Sequence, residues 1–198
     1  MRVIVARAPL KRILGWSQRS LLVIAVSMLA WCGYVLVDAW SFQHTEQRQF
    51  DALRVHRIAT PGAIPPPASG GLMGRIDIPR LNLSVVVIEG TGSTTLRRAA
   101  GHIRGTALPG HPGNIGISGH RDTFFRPLRN IRKDDVITLT TLDGEYQYRV
   151  ISTKIVLPSD VDVLDSDGRG ILTLVTCHPF YFVGAAPNRF IVRAERIE

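Results

Sequence analysis

Between Leu21 and Val37 the chain reads LLVIAVSMLAWCGYVLV, an apolar run without a single charge. About 20 such residues cross a hydrocarbon core, and Ala39 and Trp40 extend the run toward that length. Its apolar character covers the whole circumference of a helix rather than one stripe, as in a segment surrounded by lipid. Residues 21–40 are therefore expected to form a transmembrane anchor. From Ser41 to Ile58 the pattern turns polar, with Phe42, Phe50, Leu53 and Ile58 at loosely helical spacing, which predicts a juxtamembrane helix. TPGAIPPPASGG (Thr60–Gly71) follows, where consecutive prolines favour extended chain and the glycines release it. Residues 41–71 thus read as a helix and a linker, and residues 72–198 as one folded module.

Within that module short apolar runs recur between turn signals. GRIDIP (Gly74–Pro79), LSVVVIE (Leu83–Glu89), NIGIS (Asn114–Ser118) and DVITLTT (Asp135–Thr141) read as strands. Leu142-Asp143-Gly144-Glu145 supplies an Asp-Gly turn into an alternating second strand, YQYRVISTKIVL. ILTLVT (Ile171–Thr176), almost continuously apolar, predicts a central strand, and FIVRAERI (Phe190–Ile197) completes the set. Helical signal is confined to short pieces near Ser93–Ala100, ended by Gly101, and near Phe124–Ile131. So many short strands in so few residues predict an all-β fold closed into a barrel, because closure removes exposed edges.

The net charge of +8 and the pI near 10.3 suggest a polyanion partner. The distribution argues otherwise. Arg2, Arg7, Lys11, Arg12 and Arg19 lie in residues 1–20, where there is no acid, so five of the eight net charges belong to this tail. Basic residues ahead of the apolar run, with Asp38 and Glu46 after it, place residues 1–20 in the cytoplasm and the module outside it. No nucleic-acid-binding signature accompanies the charge, and no nucleic-acid partner is expected. A cleaved signal peptide shares the basic start and apolar core, but the run is long for a signal and no Ala-x-Ala spacing follows it. Of the two cysteines, Cys32 lies in the apolar run and Cys177 far along the module, so a disulfide between them is not expected. With the six histidines scattered, no metal or other cofactor is expected either. The acids Asp160, Asp162, Asp165 and Asp167 read as a solvated loop.

The candidate chemistry centres on Cys177, which stands where ILTLVT gives way to the loop CHPFYFVGAAPN. A lone cysteine is more often a small buried hydrophobe. His120 holds an equivalent place after NIGIS, and an imidazole beside a thiol takes or balances its proton, giving the nucleophilic thiolate. By itself His120 would read as a satisfied loop histidine. His178 is adjacent to Cys177, but neighbouring side chains of a strand point to opposite faces, which favours His120 as the partner. Arg189 opens NRFIVRAERI directly after the Cys177 loop, where a permanent cation with several donors suits an oxyanion. Arg121, Arg126, Arg129 and Arg193 read as surface charges, and Asp122 as a loop cap or a partner of His120.

GHRDTFF around His120, TLVTC ending at Cys177 and NRFIV beginning at Arg189 resemble, in order and spacing, the three signature segments of sortases, and the chain is most similar to class D and related members. The resemblance implies an eight-stranded sortase β-barrel with short helices after one N-terminal transmembrane helix. It implies Cys177, His120 and Arg189 as the catalytic set of a cysteine transpeptidase, with only a small active thiolate–imidazolium fraction at neutral pH. The implied substrates are secreted proteins with a C-terminal Leu-Pro-x-Thr-Gly-like sorting signal. The implied acceptor is an amine in the cell envelope, and the implied location is the bacterial plasma membrane, with the anchor helix in lipid. Two rival readings are an L,D-transpeptidase, whose signature places His and Gly just before the cysteine where this chain has Val175 and Thr176, and a catalytically silent surface-binding domain.

Overall fold

The computed structural model describes residues 7–59, 71–166, 168–182 and 184–197. The expected linker lies almost wholly outside the described residues, as does Asp167. The first described residues form one continuous helix, α1 (Arg7–Ala59). Its segment Leu14–Thr45 is long and apolar enough to cross a membrane. The chain divides into two compact units, residues 1–40 and 41–198.

Eight strands follow: β1 (Leu72–Ile78), β2 (Leu83–Glu89), β3 (Ala100–His102), β4 (Gly113–Ser118), β5 (Val136–Thr141), β6 (Glu145–Val156), β7 (Gly170–His178) and β8 (Asn188–Ile197). They close into a barrel in the order β1-β2-β3-β4-β7-β8-β6-β5, with β5 returning to β1. The β2–β3 and β4–β7 pairs are parallel and the others antiparallel. A six-residue helix, α2 (Ser93–Arg98), bridges β2 and β3. The piece expected to be helical near Phe124–Ile131 is a 3-10 turn, Arg126–Asn130, entered through Pro127.

Strand alternation builds the core. Ile76, Val85, Ile117, Leu139, Leu174 and Val192, from six different strands, are among the buried residues of one interior cluster. β7 is apolar on both faces because both are covered. Leu172 and Leu174 face the interior, while outside, Thr173 Oγ1 donates to Asn114 Oδ1 at 2.7 Å. Asn114 in turn donates to the carbonyls of Val163 and Asp165 in the β6–β7 loop, at 3.1 and 3.3 Å. The reading of this strand as central is correct: it lies between β4 and β8. β3 escaped the sequence pattern. Three residues, one of them glycine, show no alternation, and they form a strand because β2 and β4 flank them.

A smaller cluster sits on the outer face of β2, where Val86, Ile88 and Ala99 pack with Phe42 and Leu72. Gln43 completes this contact from the same compact unit. Its Oε1 accepts from the Val86 backbone N–H at 3.0 Å, and its Nε2 donates to the Arg98 carbonyl.

Candidate active site

β7 brings Cys177 to the outer face of the barrel wall. Leu172 and Leu174 point inward, so Thr173, Val175 and Cys177 point outward. The strand runs one residue beyond Cys177, to His178, so the thiol sits on regular backbone rather than at the start of a loop. On one side Cys177 is the direct register partner of Arg189 in β8. On the other, the parallel β4–β7 register reaches Ser118 opposite Val175. The pairing then continues through Gly119, whose N–H donates to the Val175 carbonyl at 3.1 Å and whose carbonyl accepts from Thr176 Oγ1 at 2.7 Å. His120 follows Gly119 directly, two residues past the end of β4. Cys177 and Arg189 thus share one rung of β7 and β8, and His120 stands just past the end of β4, which flanks β7 on its other side.

The supports are specific. Phe125 N–H donates to the His120 carbonyl at 3.0 Å, closing the loop after β4, and the Phe125 ring is fully buried in the core. His120 is exposed and Cys177 half-buried. The Arg189 guanidinium donates through Nη1 to the carbonyls of Ala186 and Asn188, at 3.3 and 3.0 Å, tying it to its own loop. His178 turns to the opposite face. Its ring lies between Phe180, edge-on at 6.0 Å, and Phe190, nearly parallel at 6.3 Å. Its Nδ1 is buried and has no hydrogen-bond partner among the described residues.

One residue is misjudged in the sequence reading. Arg121, taken there for a surface charge, is only 6% exposed. It donates to the carbonyls of Pro179, Phe182 and Gly184, all in the loop that leaves β7. Arg129 fits the surface reading better, although its guanidinium lies 5.6 Å from the ring centre of exposed Tyr181. Asp122 is exposed, 3.4 Å from Arg121 Nε. The burial of Arg121 had no signal in the sequence, because its acceptors are backbone carbonyls more than fifty residues away. In the acidic loop, Asp160 caps the Leu157 backbone N–H at 3.0 Å. Among the described residues no three His, Cys, Asp or Glu side chains group as metal ligands would.

A closed mixed barrel with a half-buried cysteine paired to an arginine on one side, and a histidine just past the neighbouring strand on the other, points to the class of cysteine acyltransferases. A sortase-domain profile matches residues 76–197, and the chain belongs to the sortase family of cysteine transpeptidases. It is 36% identical to Sortase D of Bacillus subtilis over 132 residues, 66% of this chain and 67% of that protein. To Sortase SrtE1 of Streptomyces coelicolor it is 31% identical over 198 residues, 90% of this chain but about half, 54%, of that protein. Among solved structures, a Sortase D5 transpeptidase from Clostridium perfringens superposes with a TM-score of 0.66 at 26% identity, over 82% of this chain and 99% of that one. The expected family, fold and enzyme class are thereby correct, and the L,D-transpeptidase and silent-domain readings fall away.

Proposed function

We propose that this chain is a membrane-anchored sortase that cleaves a Leu-Pro-x-Thr-Gly-like sorting signal, with Cys177 as nucleophile, His120 as acid and base, and Arg189 as oxyanion donor. The observation that supports this reading is the direct pairing of Cys177 with Arg189, together with the position of His120 just past the end of β4 on the other side of β7. The Cys177 thiolate attacks the threonine carbonyl carbon, and an Arg189 N–H donates to the oxygen as it gains charge. Collapse of this intermediate breaks the Thr–Gly bond while the His120 imidazolium gives its proton to the departing glycine amine. The threonine is left as a thioester on Sγ. An acceptor amine then attacks the thioester, neutral His120 removes the amine's extra proton, and the thiolate leaves.

Residues 21–40 hold the enzyme in the plasma membrane, with residues 1–20 in the cytoplasm and residues 72–198 outside it, where secreted substrates and envelope amines meet. The asymmetry of charge around the apolar run supports this orientation.

The test is turnover of a fluorogenic sorting-signal peptide by the detergent-solubilised full chain, with mass spectrometry of the thioacyl adduct. Cys177→Ala abolishes both adduct and turnover. His120→Ala lowers turnover by about 10²–10⁴-fold, and Arg189→Ala by about 10²–10³-fold, each with an unchanged melting temperature. Turnover surviving in Cys177→Ala, or an adduct on a different residue, overturns the assignment.

A further inference from the structure

We propose that Arg121 is a positioning residue for the Cys177–His120 pair, clamping the loop that leaves β7 to the loop that carries His120. The inference rests on the assignment of those two residues as the reacting pair. Arg121 follows His120 directly. Its acceptors begin at Pro179, two residues after Cys177: Nη1 donates to the Pro179 carbonyl at 3.0 Å, and Nη2 to the carbonyls of Phe182 and Gly184 at 2.6 and 3.0 Å. One guanidinium thus ties the backbone beside the nucleophile to the backbone beside its proton partner.

The chemistry of the contact suits fixed geometry more than stability. Arg121 is 6% exposed, and the nearby carboxylate of Asp122 is largely in water. Its charge is met by backbone dipoles rather than by a buried acid. A buried cation held in this way is costly to desolvate, and an apolar side chain of similar volume often stabilises a fold as well. What the guanidinium adds is a planar fork that engages three carbonyls from different parts of a turn, which the point charge of lysine does not reproduce.

Two further contacts strengthen the link between the loops. The guanidinium lies 6.0 Å from the ring centre of Phe182, and Arg129, from the turn after His120, stacks over Tyr181. Gly184 is held at φ +101°, a conformation open to glycine and strained for other residues, so its carbonyl direction depends on that residue. Loss of the clamp lets the two loops drift. Misplacement of about 1 Å at a reacting centre costs up to about 10²-fold in rate.

The decisive readout is the pH profile of Cys177 alkylation in the folded full chain in detergent, followed on the Cys177 peptide by mass spectrometry so that Cys32 does not interfere. His120→Ala sets the reference for a thiol without its partner. Arg121→Lys moves the profile toward that reference and lowers kcat for the sorting-signal peptide about 10–100-fold, with KM changed less than about threefold. Gly184→Ala moves both in the same direction to a smaller extent, and it decides the question if Arg121→Lys does not fold. If either folded variant keeps the wild-type profile and kcat and loses only thermal stability, Arg121 is structural and the proposal is wrong. If His120→Ala itself leaves the profile unchanged, the pairing of Cys177 with His120 fails, and the clamp falls with it.

Discussion

Gly119 separates the paired part of β4 from His120, and a side chain there has no room. A Cβ added at this position would lie 2.7 Å from the Phe125 ring, itself fully buried. Phe125 also closes the His120 loop through its backbone, so relief of the clash moves the base. Gly119→Ala is expected to destabilise the chain by about 1–3 kcal/mol through overpacking and to depress peptide turnover beyond what the unfolded fraction explains. Denaturant melts read against turnover in the same buffer check this. Wild-type turnover in the folded variant would mean that the loop absorbs the displacement. The candidate site was legible at this scale to an uneven degree. Cys177, His120 and Arg189 could be picked out because each stands near the end of a readable strand. The ranking of His120 over His178 followed from strand alternation, and in the structure His178 packs between two phenylalanines on the opposite face. Arg121 was beyond reach, because nothing local distinguishes an arginine that points into water from one that binds carbonyls far along the chain.

At the scale of elements, the junction of α1 with β2 carries a testable burden. β2 pairs with β3 only over Val87–Glu89, which leaves the Val86 N–H to be satisfied from elsewhere. The Gln43 side chain supplies the acceptor and reaches the Arg98 carbonyl at the end of α2. Removing it takes away the acceptor of the Val86 N–H in a partly buried seam. Gln43→Ala is expected to cost about 1–3 kcal/mol, measured by thermal or urea unfolding of the full chain in detergent. Gln47→Ala, which loses a long 3.5 Å contact to exposed Ser84 Oγ, is expected to be neutral. Equal effects of the two would contradict this role for Gln43. The pattern of polar and apolar residues anticipated a helix after the anchor, but a loosely spaced stripe does not say which strand it covers. The short β3 was similarly silent, since its pairing comes wholly from its neighbours.

For the whole molecule, closure of the barrel buries side chains whose ionisation then reports on folding. Tyr148 of β6 is almost fully buried, and desolvation pushes its phenol up to about 12, against the opposing charge of Arg196 and with a small addition from Tyr146. A group whose folded pKa is raised contributes stability that is complete below its unfolded value, near 10, and is lost as pH rises toward the folded one. Stability is therefore expected to fall between about pH 10 and 12, and Tyr148→Phe to lose less over the same interval. Chemical denaturation across that range checks it, and parallel curves would exclude the phenol as the cause. At the acid end, Asp135 is held below the usual carboxylate range, chiefly by its hydrogen bond from Arg80. Its contribution is thus present above the usual carboxylate range and lost as pH falls below that range, through the lowered folded value.

By itself the sequence determined the apolar helix, every strand but β3, the all-β class and the identity of the three polar candidates. Each of these is written in patterns a few residues long: a charge-free run, a period of two, a turn pair, a polar residue where a strand gives out. Tertiary structure alone decided the order in which the strands close, with β7 between β4 and β8, and hence the pairing of Cys177 with Arg189. It also decided that Arg121 is buried. The parallel β4–β7 pairing joins segments more than fifty residues apart, and its register depends on the packing of the whole barrel, which no local stretch of chain encodes.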